Sequence, residues 1–243
     1  MIDIKGLANY GENMTCFADS FIKVLHEYDG TAKDKEMLAL FACCLMTSDA
    51  KSDKKDIEKL LAIIQEQTPS VWDYIDRELF MVDFHMRPVR TLSFADDMQV
   101  FKVFVILHGI ILTTQTVERS LKISYNYNGN YEDFFIRLFR NAGVKDIFSN
   151  DPSDSQERIW TFLRLMVRKS PVDLGSWDWI PPSILQVPIN EDLVWSANKI
   201  GLIKGGANTA QTRAVITDAF REHFPEDPAK GYFALHAYLS EMS

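Results

Sequence analysis

Basic and aromatic side chains are concentrated between Phe162 and Leu202, and their types and spacing suggest chemistry. Arg164, Arg168 and Lys169 fall at the end of a predicted helix, and Trp177 follows them. A basic helix end that leads into aromatic residues and a rigid turn is suited to holding a phosphate and a stacked base. The same residues also have structural explanations. Positive charge is favourable at a helix C-terminus, and tryptophans often fill a core.

The elements that must position these side chains are predicted to be helices. Apolar residues recur at spacings of three and four over most of the chain, whereas strand-like alternation is almost absent. Helices are predicted over 17–28, 37–45, 57–64, 72–79, 93–113, 131–141, 156–168, 191–202, 209–223 and 227–240. The polar segment SYNYNGN, residues 124–130, is predicted to be a turn between helical blocks. We therefore expect an all-α fold in one domain, with possible lobes at 1–125 and 126–243.

Composition narrows the classes of function. The most apolar run, Val100–Leu112, is too short to span a membrane, and the N-terminus lacks a signal pattern, so we expect a cytoplasmic protein. The cysteines and histidines are not spaced like a disulfide framework or a zinc site, so no metal or cofactor is predicted. The net charge of −8 lowers the expectation of tight, non-specific DNA binding but does not exclude a local basic stripe.

Several strings in the C-terminal third match a family pattern. They are FLRLMVRK, VDLG and a tryptophan, then P-S-x-L-x-V-P, a helix ending in K-I-G-L, and finally ITDAFREHFPEDPAKGYFAL. Together they resemble an uncharacterised bacterial family related to the helix-hairpin-helix DNA glycosylases, which include endonuclease III and the 8-oxoguanine glycosylases. The stretch Leu38–Leu60, with CCLMTSDAKS inside it, is similar to the early helix pair of that superfamily.

The resemblance implies a reaction on a base that is flipped out of DNA. An aspartate just before the helix that begins near Glu191 would stabilise the cationic sugar, and a lysine would form a Schiff base in bifunctional members. By position, Lys169 would be that lysine. Asp173 would orient it or cap the turn before Gly175.

The sequence departs from the superfamily where its carboxylate should stand. The pattern P-L-D-x-H reads PINED at 188–192, so Asn190 holds the aspartate position and Asp192 the histidine position. A neutral asparagine cannot supply the electrostatic role of an ionised aspartate. Glu191 or Asp192 could replace it, or both could be acids favoured by the helix dipole. The hairpin glycines L-P-G-[VI]-G are absent as well.

By this resemblance, DNA contacts are expected from five residues: Arg164, Arg168, Trp177, Ser48 and Lys51. We expect an enzyme that acts on a flipped-out base or a modified nucleotide in DNA. One alternative is a phage-type transferase that hypermodifies activated thymidine in DNA, which would tolerate loss of the aspartate. The other is a DNA- or protein-binding relative without catalysis, which the acidic total and Asn190 favour. The sequence does not predict the oligomeric state.

Overall fold

The computed structural model describes residues 2–86, 92, 97–144 and 147–242, and within them the regular secondary structure is helical. In these residues β-type pairing is limited to two isolated bridges, Asp154 with Thr209 and Lys169 with Leu174. The predicted all-α fold class is therefore confirmed. The α-helices are α1 (Ile4–Gly11), α2 (Phe21–Glu27), α3 (Ala32–Leu45), α4 (Ala50–Gln65), α5 (Val71–Asp76), α6 (Asp97–Thr114), α7 (Val117–Asn128), α8 (Tyr131–Asn141), α9 (Glu157–Val167), α10 (Glu191–Lys199), α11 (Ala210–His223) and α12 (Gly231–Met242).

Contacts along the chain define two units. Unit 1 comprises Met1–Ala18 and Ser149–Ser243, and unit 2 comprises Asp19–Phe148. The boundary thus follows residue 148 rather than residue 125, and the N-terminal segment belongs with the C-terminal part of the chain. This return of the N-terminus is not visible in local sequence patterns, because it depends on contacts between residues that are far apart in the chain.

Most of the predicted helices are confirmed with shifted ends. The helix α8 has the predicted bounds, and α9 is one residue shorter than predicted at each end. The predicted turn at 124–130 is wrong over most of its length, because α7 continues to Asn128 and Gly129 is its C-terminal cap. Gly129 has a φ of 63°, a left-handed conformation that glycine adopts without steric cost and that commonly ends a helix. Ser93, the predicted start of α6, lies outside the described residues.

The core of unit 2 is built around the buried ring of Phe104. The ring centroids of Phe41, Tyr74, Phe80 and Phe84 lie between 4.8 and 5.6 Å from that of Phe104. These residues come from α3, α5, α6 and the segment between α5 and α6, so one aromatic cluster joins the helices of this unit. Aromatic pairs of this kind contribute beyond their buried area.

The helix α6 also has the composition of a membrane span. In the described part of the chain it is the one helix that is long and apolar enough to cross a bilayer, judged by length and composition alone. Its apolar window is 39% buried inside the structure, and core helices of soluble proteins pass the same test.

Unit 1 is assembled on α12, the C-terminal helix. The helices α1 and α10 pack against α12, and α11 packs against the short turn that leads into it. Buried apolar side chains fill the space between these helices, including Val187, Leu193, Ile216, Phe220 and Leu235. The predicted C-terminal helices are thus present. The loops that precede and follow α9 belong to this unit as well.

Candidate active site

A carboxyl group and an amide meet in unit 1 where α9 and α10 begin. The Asn190 side chain donates a hydrogen bond from Nδ2 to Glu157 Oε1 at 2.9 Å. Asn190 also caps α10, because its Oδ1 accepts the backbone N–H of Leu193 at 3.0 Å. The amide is therefore fixed at both ends, and it holds the Glu157 carboxyl in one orientation. Both residues keep part of their surface exposed.

The segment before Glu157 has an uncommon backbone. Gln156 has a φ of 52° and a ψ of 43°, a left-handed conformation that few residues other than glycine adopt. Three contacts hold it: its backbone N–H bonds Asp154 Oδ1 at 2.7 Å, its side chain bonds the Ser149 carbonyl at 2.8 Å, and its carbonyl accepts from Ile159. Backbone strain of this type costs about 1–3 kcal/mol and is concentrated at functional sites.

The environment of Glu157 favours the protonated carboxyl. Burial raises the pKa of Glu157 from an ordinary 4.5 to about 7. The hydrogen bond from Asn190 and the charge of Arg158 oppose that shift, while Asp192 and Asp154 reinforce it. A carboxyl group whose pKa lies near neutrality can both accept and donate a proton at physiological pH, which is the property required of a general acid or base.

Three helix N-termini converge beside the loop 151–156. The helices α9 and α10 begin at the Glu157–Asn190 pair, and the N-terminus of α11 is joined to this loop by a bond from the Ala210 N–H to the Ser153 carbonyl at 2.8 Å. Side chains cap α10 and α11, whereas α9 has no side-chain cap. The positive ends of these helix dipoles favour the acidic side chains that already lie at this corner, Asp154, Glu157 and Asp192.

The basic residues at the other end of α9 lie in the interior. The Arg164 side chain is completely buried, and its Nη1 lies 2.9 Å from Asp173 Oδ1. Its guanidinium also lies over the rings of Tyr232 and Phe233, at 4.4 and 4.9 Å from their centroids. The sequence predicts that Arg164 contacts DNA. The structure instead gives it a partner and a place in the core, where a phosphate cannot reach it.

Arg168 is equally committed to protein carboxylates. Its guanidinium donates to Asp173 at 2.5 Å, to Glu12 at 2.7 Å and to Asp227 at 2.7 Å. Burial disfavours the charge of Arg168, but the hydrogen bond and charge of Asp227, with Asp173, outweigh it and raise the guanidinium pKa. This network ties α1, α9 and the turn before α12 together. Arg168 is therefore a structural residue rather than the predicted DNA contact.

Asp173 is the shared acid of this network. Its side chain is completely buried between the two arginines and accepts a further bond from Ser170 Oγ at 3.0 Å. Burial raises the pKa of Asp173, and the charges of Arg164 and Arg168 oppose that shift. The predicted catalytic role of Asp173 is to orient Lys169, but its side chain instead contacts Arg164, Arg168 and Ser170, and these ion pairs explain why an acid stands here.

Lys169 is distant from the other predicted catalytic residues. It is exposed just beyond the end of α9, while Asn190 is bonded to Glu157 at the start of the same helix. The helix α9 runs from Glu157 to Val167, about 15 Å along its axis, and Lys169 lies beyond its C-terminal end. The structure thus separates the proposed nucleophile from the carboxyl–amide pair. Asp192 is exposed in the first turn of α10 and acts on Glu157 through its charge.

The remaining predicted contacts divide between the two units. Trp177 is buried and packs edge-on against Phe162, with ring centroids 5.4 Å apart, so it is a core residue and not a surface for stacking a base. Ser48 is exposed in unit 2. Lys51 is exposed there too, and its ammonium lies 3.5 Å from Asp19.

Sequence reasoning missed Glu157. A glutamate in the first turn of a helix is expected from the helix dipole alone, so its type and position carry no signal of a site. The property that singles it out is its contact with Asn190, 33 residues further along the chain. In the described ranges there is no group of three or more histidines, cysteines or acids that could hold a metal ion.

The helical architecture and the carboxyl–amide pair define an all-α protein with a candidate acid–base site in unit 1. The chain belongs to the family described as "Protein of unknown function (DUF2400)", whose model matches residues 21–239. The match runs from α2 into α12 and includes both Glu157 and Asn190. No curated protein and no solved structure matches the chain.

Proposed function

We propose that this protein is an enzyme that acts on a flipped-out base or a modified nucleotide in DNA, with Glu157 as its general base. The observation that carries the proposal is the Glu157 carboxyl, which is oriented by Asn190 and has a pKa that burial raises to about 7. Asn190 falls at the aspartate position of the resemblance to DNA glycosylases. Glu157, on a different helix, brings a carboxyl group within hydrogen-bonding distance of Asn190.

The chemistry follows from the groups present. In a glycosidic cleavage, ionised Glu157 would take a proton from a water molecule whose oxygen attacks the sugar carbon. The bond from that carbon to the base would break, and its electron pair would leave with the base, which takes up a proton from solvent. Positive charge develops on the sugar in this step. The charges of Asp154 and Asp192, which already act on Glu157, favour such a cation.

The resemblance carried by residues 162–202 supports DNA as the substrate. Because Lys169 lies beyond the far end of α9, which is about 15 Å long, water rather than this lysine would be the nucleophile.

The test is base release from modified DNA. The protein is incubated with duplex and single-stranded oligonucleotides that carry uracil, 8-oxoguanine, an alkylated purine or a hypermodified thymine, and the free base is measured by mass spectrometry. Glu157→Gln should lower the rate by about 10²- to 10⁴-fold, the usual contribution of a general base. The rate of the unaltered protein should rise with pH and level off above about 7.

The matched control is Glu191→Gln, which removes an exposed acid from the first turn of α10. It should change the rate by less than about threefold, because a surface charge contributes little. Equal losses of rate in Glu157→Gln and Glu191→Gln would show that Glu157 is not the general base. No base release and no DNA binding on any oligonucleotide would overturn the proposal itself. Borohydride trapping should give no adduct at Lys169.

The burial of Arg164 and Arg168 favours a second candidate, a binding protein without catalysis. Two of the predicted phosphate contacts are committed to protein carboxylates, which leaves fewer cations for DNA. In the same assay such a protein would leave the mass of every oligonucleotide unchanged. A hypermodifying transferase would differ from both, since it would add mass to the DNA and release no base.

A further inference from the structure

A groove of about 480 Å³ opens in unit 1 between α1 and the C-terminal end of α12. Its volume falls within the range of small-molecule sites, which is about 300–1,000 Å³. Of the lining residues that the structure describes, two are acidic, two are tyrosines and none is basic. They are Ile2, Asp3, Gly6, Leu7, Tyr10, Tyr238 and Glu241.

The two helices run antiparallel, and this groups the side chains of the groove by kind. Gly11 lies so close to α12 that a Cβ there would be 2.2 Å from a carbonyl oxygen in the first turn of that helix. The groove lies beyond this contact, lined by earlier residues of α1 and later residues of α12. Asp3 and Glu241 therefore lie toward one end of the groove. Tyr10 and Tyr238 lie toward the other end.

The glycine at position 6 makes room for the carboxylate of Asp3. Asp3 Oδ1 accepts the Gly6 N–H at 2.9 Å and caps α1. A Cβ at Gly6 would lie 2.4 Å from Asp3 Oδ2, so a larger residue would displace the acid. Glycine inside a helix lowers the stability of that helix relative to alanine. Its presence here keeps a negative charge on the wall of the groove.

We propose that this groove binds an aliphatic diamine or polyamine. One ammonium group lies between Asp3 and Glu241, where carboxylates offset its charge. A second lies against the rings of Tyr10 and Tyr238, because the faces of aromatic rings attract cations. Asp3 and Tyr10 are seven residues apart, about 10 Å along the axis of α1, so an extended amine can reach both ends of the groove.

The lining selects this class of ligand over others. Ile2 and Leu7 offer an apolar surface to the alkyl chain between the two ammonium groups. An anion would instead meet two carboxylates, and the described lining has no cation to offset them. The adjoining aromatic surface already holds a cation. The ring centroid of Trp195 lies 6.3 Å from that of Tyr238, and the Lys199 ammonium lies 5.3 Å from the Trp195 centroid.

Equilibrium dialysis with labelled spermidine tests this site. At about 0.15 M salt, the unaltered protein should bind spermidine with a Kd below about 1 mM. Putrescine should compete for the site. Butylamine, which has one ammonium group, should compete at least about threefold more weakly than putrescine. Hexanediol, which has an alkyl chain but no charge, should not compete.

Substitutions in the groove test its charges and rings. Asp3→Asn and Glu241→Gln each remove one negative charge, and asparagine caps a helix as well as aspartate does. Each should raise the Kd by about fivefold or more. Tyr238→Leu keeps an apolar wall and should raise the Kd by about threefold. The matched control is Glu222→Gln, at an exposed acid of α11 outside the groove, and it should change the Kd by less than about twofold. Circular dichroism should show the same helix content in every variant.

Three results would overturn the proposal. One is no binding of spermidine at concentrations up to about 10 mM. Another is an equal loss in Glu241→Gln and Glu222→Gln, which would assign the binding to the overall charge of −8. The third is a lysine-containing peptide that binds at least about tenfold more tightly than spermidine, which would assign the groove to a protein partner. The assay contains no DNA and none of the variants changes Glu157 or Asn190, so failure here leaves the proposed function intact.

Discussion

The two ends of α9 use charge in opposite ways. At its C-terminal end, Arg164 and Arg168 are buried together with Asp173, and Glu12 and Asp227 complete the pairing. At its N-terminal end, Glu157 has an amide as its hydrogen-bonded partner rather than a cation, and further acids lie nearby. The first arrangement holds ionised groups in fixed pairs. The second leaves one carboxyl free to change its protonation state.

This difference separates a structural role from a chemical one on the same helix. Buried, paired charges join α1, α9 and the turn before α12, and removing one partner leaves another charge without compensation. A buried carboxylate without a cationic partner lowers the stability of the folded protein. Its pKa is raised towards neutrality for the same reason. The comparison therefore predicts that the two ends respond differently to the same kind of substitution.

The largest effect is expected at the paired end. Asp173→Asn keeps the shape of the side chain but leaves two buried guanidiniums with one acid fewer. We expect the free energy of unfolding to fall by about 3–5 kcal/mol, the usual cost of breaking a buried ion pair from one side. Urea unfolding followed by tryptophan fluorescence measures this. Four of the five tryptophans (Trp160, Trp177, Trp179 and Trp195) belong to unit 1.

The control for Asp173 is an exposed ion pair. Asp218 and Arg221 form a pair on the surface of α11, and Asp218→Asn should change the free energy of unfolding by less than about 0.5 kcal/mol. If Asp173→Asn had an equally small effect, the network would not stabilise unit 1. The predicted roles of Arg164 and Arg168 in binding DNA would then have to be considered again.

The sequence predicts the paired end only in part. The sequence shows the basic residues at the end of α9, and its apolar periodicity predicts the helix that carries them. Their burial is not, because Glu12 lies 156 residues before Arg168 and Asp227 lies 59 residues after it. No local sequence pattern predicts which distant acids form ion pairs with a given arginine. A buried arginine therefore has the same local signature as one that binds phosphate.

The pairing of Glu157 with Asn190 at the N-terminal end of α9 could not be predicted from the sequence, for a different reason. Asn190 was correctly placed just before a helix, since its side chain caps α10. The carboxyl that accompanies it does not come from Glu191 or Asp192, which are exposed, but from Glu157 on another helix. Helix periodicity orders residues within one element. It does not say which two helix ends will meet.

An intermediate effect is expected from the titration of Glu157. Its pKa is raised from 4.5 to about 7 in the folded protein, so the folded state binds more protons than the unfolded state between these values. The contribution to stability is complete below about pH 4.5 and is lost as the pH rises through 7. Between pH 4.5 and 8, the unaltered protein should lose about 3 kcal/mol relative to Glu157→Gln, because each unit of pKa shift corresponds to about 1.4 kcal/mol.

The measurement is the difference in the free energy of unfolding between these two proteins over a series of pH values. Glu191→Gln is again the control, and its difference from the unaltered protein should stay within about 0.5 kcal/mol from pH 4.5 to 8. A constant difference for Glu157→Gln would show that the carboxyl keeps an ordinary pKa in the folded protein. The two ends of α9 would then not differ in the way described.

The smallest effects are expected at Asn190, and they separate its two contacts. Asn190→Ser keeps a cap for α10 but loses the bond to Glu157, so we expect a loss of about 1 kcal/mol. Asn190→Ala loses both and should cost about 2 kcal/mol. Equal losses in the two variants would mean that the cap contributes nothing and that Asn190 matters only through Glu157.

Asn190→Asp gives the sharpest contrast, because aspartate caps a helix as well as asparagine but brings a second carboxyl within hydrogen-bonding distance of Glu157. At pH 8 both groups would be ionised, and their repulsion should cost about 1 kcal/mol. At pH 5 the Glu157 carboxyl is protonated and can donate to the aspartate, so the cost should disappear. A variant as stable as the unaltered protein at both pH values would contradict the contact between the two side chains. Restored stability at pH 5 alone would identify Glu157 as the proton-carrying member of the pair.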